Sequence, residues 1–194
     1  MRYFRLWPRG NDSDKSLAFV REPPSGLGLY DYCMRSGERI GERYPREAKV
    51  YLDKRTPGIK LESVLGNLLS YLMVSTAMKD LILSVCGSEI ETLPFTLYNH
   101  KKRLHSRDYW IINPIGTVDC VNRDASEMVI EGGEVLGVES LAFDPRKVEG
   151  APDLFRVPEK PEWLFISETL AKAIKKSNLT NVILKEEIKL KARK

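Results

Sequence analysis

Histidine and cysteine are scarce in this chain, at two and three of 194 residues, and neither is arranged for chemistry. His100 and His105 stand in a basic stretch without the thiolate or carboxylate spacing that a zinc site needs. Cys33, Cys86 and Cys120 lie far apart, form no C-x-x-C pair and are odd in number, which points to free thiols in a reducing compartment. Phosphate-cradling loops are lacking too. EGGEVLG at 131–137 fits neither a P-loop nor a dinucleotide fingerprint, and its glutamates would repel phosphate, so it reads as a hairpin turn. The N-terminal MRYFRLWPRG has no apolar stretch of signal-peptide length. The longest apolar-rich segment, 61–85, is broken by Gly66, Asn67, Ser70, Lys79 and Asp80, so it is a poor membrane span. A strong charge of one sign is also missing. With 31 basic and 27 acidic residues the net charge of +4 is too mixed for a nucleic-acid footprint, and part of the excess sits in the last ten residues, KEEIKLKARK, expected to be a solvated tail. A soluble cytoplasmic protein without a cofactor or a membrane partner is the expectation.

What the chain does have is a dense β-prone stretch, DYWIINPIGTVDCVN at 108–122, read as one or two central strands with a bend from Asn113 to Gly116. Residues 1–7 read as a first strand ended by Pro8, with further short strands at 17–20 and 50–52. The glycine-rich 26–48 segment suggests irregular chain or edge strands. Leu61, Val64, Leu65, Leu68, Leu69 and Leu72 recur at helical spacing and predict a helix, weakened by Gly66. Ser75 or Thr76 is a cap for a second helix to Val85, stopped at Gly87, and Ser167 for a last one ending in Lys175 and Lys176. Residues 92–98 form a strand, and 99–107, NHKKRLHSR, a long basic loop leading into 108. Strands flank Gly132-Gly133, with others at 154–157 and 181–184. GERI and GERY at 37–44 echo each other, too briefly for a repeat. The mixture, without regular βαβ alternation, predicts one α+β domain over 1–194, with a mixed, mostly antiparallel sheet and a few packed helices. The alternative sets residues 1–60 apart as a loosely attached N-terminal lobe.

Three chemistries can be weighed. Cys120 next to Asp119, with His105 upstream, would make a small enzyme, but a buried thiol and two loop histidines explain the same residues more simply. The carboxylate pairs Glu89/Glu91 and Glu186/Glu187 read as solvated faces. The sharpest feature is the basic cluster His100-Lys101-Lys102-Arg103 near Tyr98, Tyr109 and Trp110, which suits an acidic protein partner and, less well, nucleic acid.

Several segments occur in an order that resembles a bacterial immunity-protein family of polymorphic toxin systems, the eleventh catalogued. They are Val74-Ser75 followed by Lys79-Asp80-Leu81-Ile82, then Leu93-Pro94-Phe95, DYWIINPI and VDCVN within 108–122, LFRV at 154–157, and FISETLAKAI at 165–174. The match runs from about 70 to 185 and is loose over the first 60 residues. The resemblance implies a small cytoplasmic protein that binds a cognate toxin and neutralises it, with no catalytic signature to carry over. Toxin contacts then fall to positions outside the shared pattern, with Lys101, Lys102, Arg103 and Arg107 the best guess.

Overall fold

The computed structural model describes residues 1–192. Its strands and helices, in chain order, are β1 (Tyr3–Trp7), β2 (Phe19–Val20), α1 (Cys33–Ser36), β3 (Lys49–Tyr51), β4 (Gly66–Asn67), β5 (Leu72–Ser75), α2 (Thr76–Val85), β6 (Ile90–Tyr98), β7 (Leu104–Pro114), β8 (Glu127–Glu131), β9 (Glu134–Ser140), β10 (Ala142–Phe143), β11 (Leu154–Phe155), β12 (Leu164–Ser167), α3 (Glu168–Lys176), β13 (Ile183–Glu187) and β14 (Lys189–Leu190). This is an α+β fold, mostly antiparallel, as the pattern of elements predicts. Of the two four-stranded sheets, one has the order β3-β6-β7-β5 and the other β11-β12-β1-β13. The stretch from Asp108 does supply a central strand, β7, which pairs with both β6 and β5. Its expected second half makes only an isolated bridge, Val121 to Phe143.

Alternation along the strands builds three cores. Met73, Leu93, Phe95, Tyr109 and Ile111 face one side of the first sheet and are covered by residues 18–52. Leu72, Val74 and Ile112 face the other side, where α2 and α3 meet Leu6, Leu164 and Ile166 of the second sheet. The far face of that sheet, with Tyr3, Phe155 and Phe165, is closed by Cys120, Val121, Phe143 and Val148. β5 and β12 are thus buried on both faces, which is why LMVS and LFIS read as unbroken apolar runs.

Those two runs reveal a local design used twice. Tyr71-Leu-Met-Val-Ser75 and Trp163-Leu-Phe-Ile-Ser167 each end in a serine that caps the following helix: Ser75 Oγ accepts from Met78 N at 3.4 Å and Ser167 Oγ from Leu170 N at 3.2 Å. Each serine N–H also donates to an antiparallel neighbour, Ser75 to Ser63 O at 2.9 Å and Ser167 to Asp153 O at 3.0 Å. Val64 bridges Val74 as Leu154 pairs with Ile166. The repeat is legible in sequence only once the shared aromatic, three apolar residues and serine are aligned on their helices; GERI and GERY play no part in it.

Several expectations need correction. No helix forms over 61–72. Adjacent Val64 and Leu65 enter different cores, as strand neighbours do, and Asn67 folds the chain into a tight turn before β5. The 26–48 segment holds α1 and two short 3₁₀ turns rather than edge strands. The loop after β6 is shorter than expected, because Leu104 to Arg107 already belong to β7. Residues 185–190 are solvated on most side chains but form no free tail, since they carry the end of β13 and all of β14, with Ile188 between them buried and Asn122 Nδ2 donating to Lys191 O at 2.8 Å. Arg193 and Lys194 lie outside the described residues. Glu91 is likewise no exposed edge residue. It is buried and accepts from Ile40 N, Gly41 N and Asn113 Nδ2.

Candidate functional site

The basic cluster is presented by the turn between β6 and β7. Asn99 organises that turn: its Oδ1 accepts from Lys101 N at 2.9 Å and Arg103 N at 3.1 Å, while Lys102 takes a left-handed φ of 56°. The side chains of Lys101, Lys102 and Arg103 are exposed at the tip and have no ion-pair partner among the described residues. Arg107 is exposed as well, but stands back on β7, where an irregularity in pairing with β6 lies between Phe95 and Leu97. The three tip residues are therefore neighbours and Arg107 is set apart from them along the strand.

Beside the turn lies a cleft of about 500 Å³ whose lining includes Arg21, Lys54, Arg55, His100 and Lys102, with Tyr51 on its wall. Tyr51 and Tyr98 stack across β3 and β6, ring centroids 5.4 Å apart. Asp53 and Glu22 are the acidic residues of the lining, and Asp53 is the one paired with Arg21. Burial opposes its ionisation, yet hydrogen bonds from Arg55 N and from Arg21 Nε, at 2.9 Å, hold its carboxyl below the usual range. Both histidines serve this end as struts. His100 Nε2 lies 3.1 Å from Asp53 O and 3.0 Å from Thr56 O, and His105 Nε2 is 2.9 Å from Ile59 O, so each donates a proton to backbone carbonyl.

The thiol that sequence sets beside these histidines belongs elsewhere. Cys120 is fully buried among Tyr3, Phe143 and Phe155, and burial, followed by the nearby charges of Glu159 and Asp119, pushes its thiol up to about 12. A nucleophilic cysteine needs the opposite shift. Asp119 turns to Lys147, 2.9 Å away. The structure thus brings no cysteine, histidine and aspartate together at this position. Among the described residues no cluster of His, Cys, Asp and Glu could hold a metal ion. No described helix is long and apolar enough to cross a membrane.

A second exposed surface was not legible as one. The hairpin β8–β9 turns at Gly132 and Gly133, with φ of 58° and 87°, the left-handed pair that a tight two-residue turn requires. It forms a two-stranded sheet of its own. Met128 and Val138 pack on the third core, whereas Val129 and Leu136 are 63% and 60% exposed. The hint in the sequence is an absence, since no Lys or Arg occurs from Asp124 to Pro145.

Fold and surfaces together define an α+β protein in which Cys120 is buried, His100 and His105 are hydrogen-bonded to the main chain, and an exposed turn and an exposed ribbon carry opposite charge. The chain belongs to the Immunity protein family (Imm11), whose model matches residues 9–187. Comparison with curated proteins finds no match.

Proposed function

We propose that this chain is an immunity protein that neutralises a cognate bacterial toxin by binding it in the cytoplasm. Family membership over residues 9–187 carries the reading, and the inert Cys120 thiol supports it. Such a complex buries about 1,200–2,000 Å² in total, anchored by a few aromatic or arginine side chains. The basic turn, with Lys101, Lys102, Arg103 and Arg107, is the proposed steering contact for an acidic patch of the toxin.

Capture of partners by the tagged chain from its own bacterium tests the reading. One stoichiometric protein is expected, lethal when expressed alone and harmless when co-expressed with this chain. Recovery of nucleic acid that moderate salt removes, or of no such protein, would count against it. Within that complex, the triple charge reversal K101E/K102E/R103E should slow association by roughly tenfold at low salt and leave dissociation nearly unchanged. Identical association rates would take the turn out of the encounter.

A further inference from the structure

The β8–β9 ribbon and the groove beside it remain unexplained by the fold. A lone two-stranded ribbon is marginal in water, and natural proteins protect exposed edges with lysine, proline or a covering segment. This ribbon has neither lysine nor proline, and its edge is interrupted only by two shifts in the β8–β9 register and by its glutamates. It exposes Val129, Ile130 and Leu136 and leaves β9 paired only with β8 among the described residues. Its charge is one-sided in a protein that is basic overall: four carboxylates and no cation from Glu127 to Ser140. Glu127 is engaged by Ser140 Oγ at 2.9 Å, but Glu131, Glu134 and Glu139 have no ion-pair partner among the described residues.

Residues 133–138 of the ribbon line a groove of about 470 Å³ together with Arg123 and the segment from Pro158 to Glu162; Arg123 is paired with Glu159 and Lys160 with Glu162, which leaves Glu134 as the lining charge without an ion-pair partner among the described residues. Glu159 also lines it. That side chain is 1% exposed; Oε1 pairs with Arg123 Nε at 3.0 Å, while Oε2 has no hydrogen-bond partner among the described residues. A buried carboxylate oxygen without a donor costs stability unless a ligand supplies one.

We propose that β9 and this groove accept an extended segment of the toxin in which basic and apolar residues alternate, added as a further strand. Its basic residues answer Glu131 and Glu134, which pair across the ribbon on one face, and its apolar ones cover Leu136, where the β8–β9 register shifts. This deepens the immunity reading and rests on it for the identity of the partner. Its charge is opposite to that sought by the basic turn, so a toxin that meets both surfaces is held in one orientation.

Two arms test the proposal on the full chain. In the first, a short peptide of alternating lysine and valine is titrated into isotopically labelled protein, with a glutamate–valine peptide as control. The lysine peptide should shift backbone amides of 127–140 and slow their hydrogen exchange, while the control does not. The surface variant E131K/E134K/E139K should lose that binding by at least about tenfold. Shifts elsewhere, equal binding of both peptides, or no binding at millimolar peptide would overturn it. In the second arm the captured toxin is the probe. V129S/L136S should raise its dissociation rate by roughly a hundredfold, since exposed anchors in an interface centre act on dissociation. Unchanged dissociation overturns the ribbon contact but leaves the immunity reading intact. Failure to capture any toxin counts against that reading, while the peptide arm still decides whether the edge takes a basic strand.

Discussion

Arg156→Met lowers the unfolding free energy by about 4 kcal/mol, a large part of the total for a domain of this size. Arg156 is fully buried, and its guanidinium makes no ion pair among the described residues. Instead it donates to four backbone carbonyls: Pro114 O from Nε at 3.4 Å, Arg35 O from Nη1 at 3.2 Å, Met34 O from Nη2 at 2.9 Å, and Pro161 O from Nη1. Those carbonyls come from α1, the end of β7 and the segment from Pro158 to Glu162, so one side chain joins three stretches. Two of them, Met34 and Arg35, are in a four-residue helix whose last carbonyls have no partner within it. Burial lowers the Arg156 pKa to about 10, with Glu162 opposing, so the group stays charged at neutral pH. Methionine fills the volume but orphans the carbonyls. Lysine keeps the charge without the planar fork and should recover only part of the loss. Urea denaturation reads the effect; a change below about 1 kcal/mol would mean that the carbonyls find other donors. Gly37 belongs to the same junction. It ends α1 at φ 81°, and a Cβ there would lie 2.9 Å from Gly116 O and 3.1 Å from Arg156 Cδ.

Asn67→Ala costs about 3 kcal/mol by the same measurement. The Asn67 amide is buried and donates to Tyr71 O at 2.9 Å, Leu65 O at 3.2 Å and, at longer range, Pro8 O. Its Oδ1 accepts from Leu69 N at 3.0 Å and Tyr71 N at 3.2 Å. It therefore satisfies the backbone of the turn into β5, where Ser70 sits at φ 60°. Alanine removes all these bonds and leaves the buried backbone groups of the turn without them. A loss below about 1 kcal/mol would show that the turn holds without the amide.

Asn67 also shows why part of the fold was hidden. The apolar residues from Leu61 to Leu72 satisfy helical spacing only by coincidence, because both faces of the neighbouring strand are buried and every position tolerates an apolar residue. An isolated asparagine gives no sign that its amide will close a turn. Features decided by near neighbours in sequence were legible: the serine caps at 75 and 167, the Gly132-Gly133 turn, and the central strand before Pro114. The long-range roles were not. Arg156 reads as a strand cation, Glu91 as an exposed edge residue, and Cys120 as a thiol near histidines that in fact brace residues 53–59. The basic turn could be picked out because charge on a loop tip stays exposed whatever the fold. The ribbon could not, because exposure of Val129 and Leu136 depends on what fails to cover them.

The central claim is that protection comes from occupying the toxin rather than from chemistry performed on it. Titration of the purified chain against a fixed amount of active toxin tests this most directly. Residual activity should fall in proportion to added protein, vanish at equimolar amounts, and be unaffected by Cys120→Ala in a folded variant. Progressive inactivation of excess toxin by a small amount of the chain, abolished by that substitution, would contradict it.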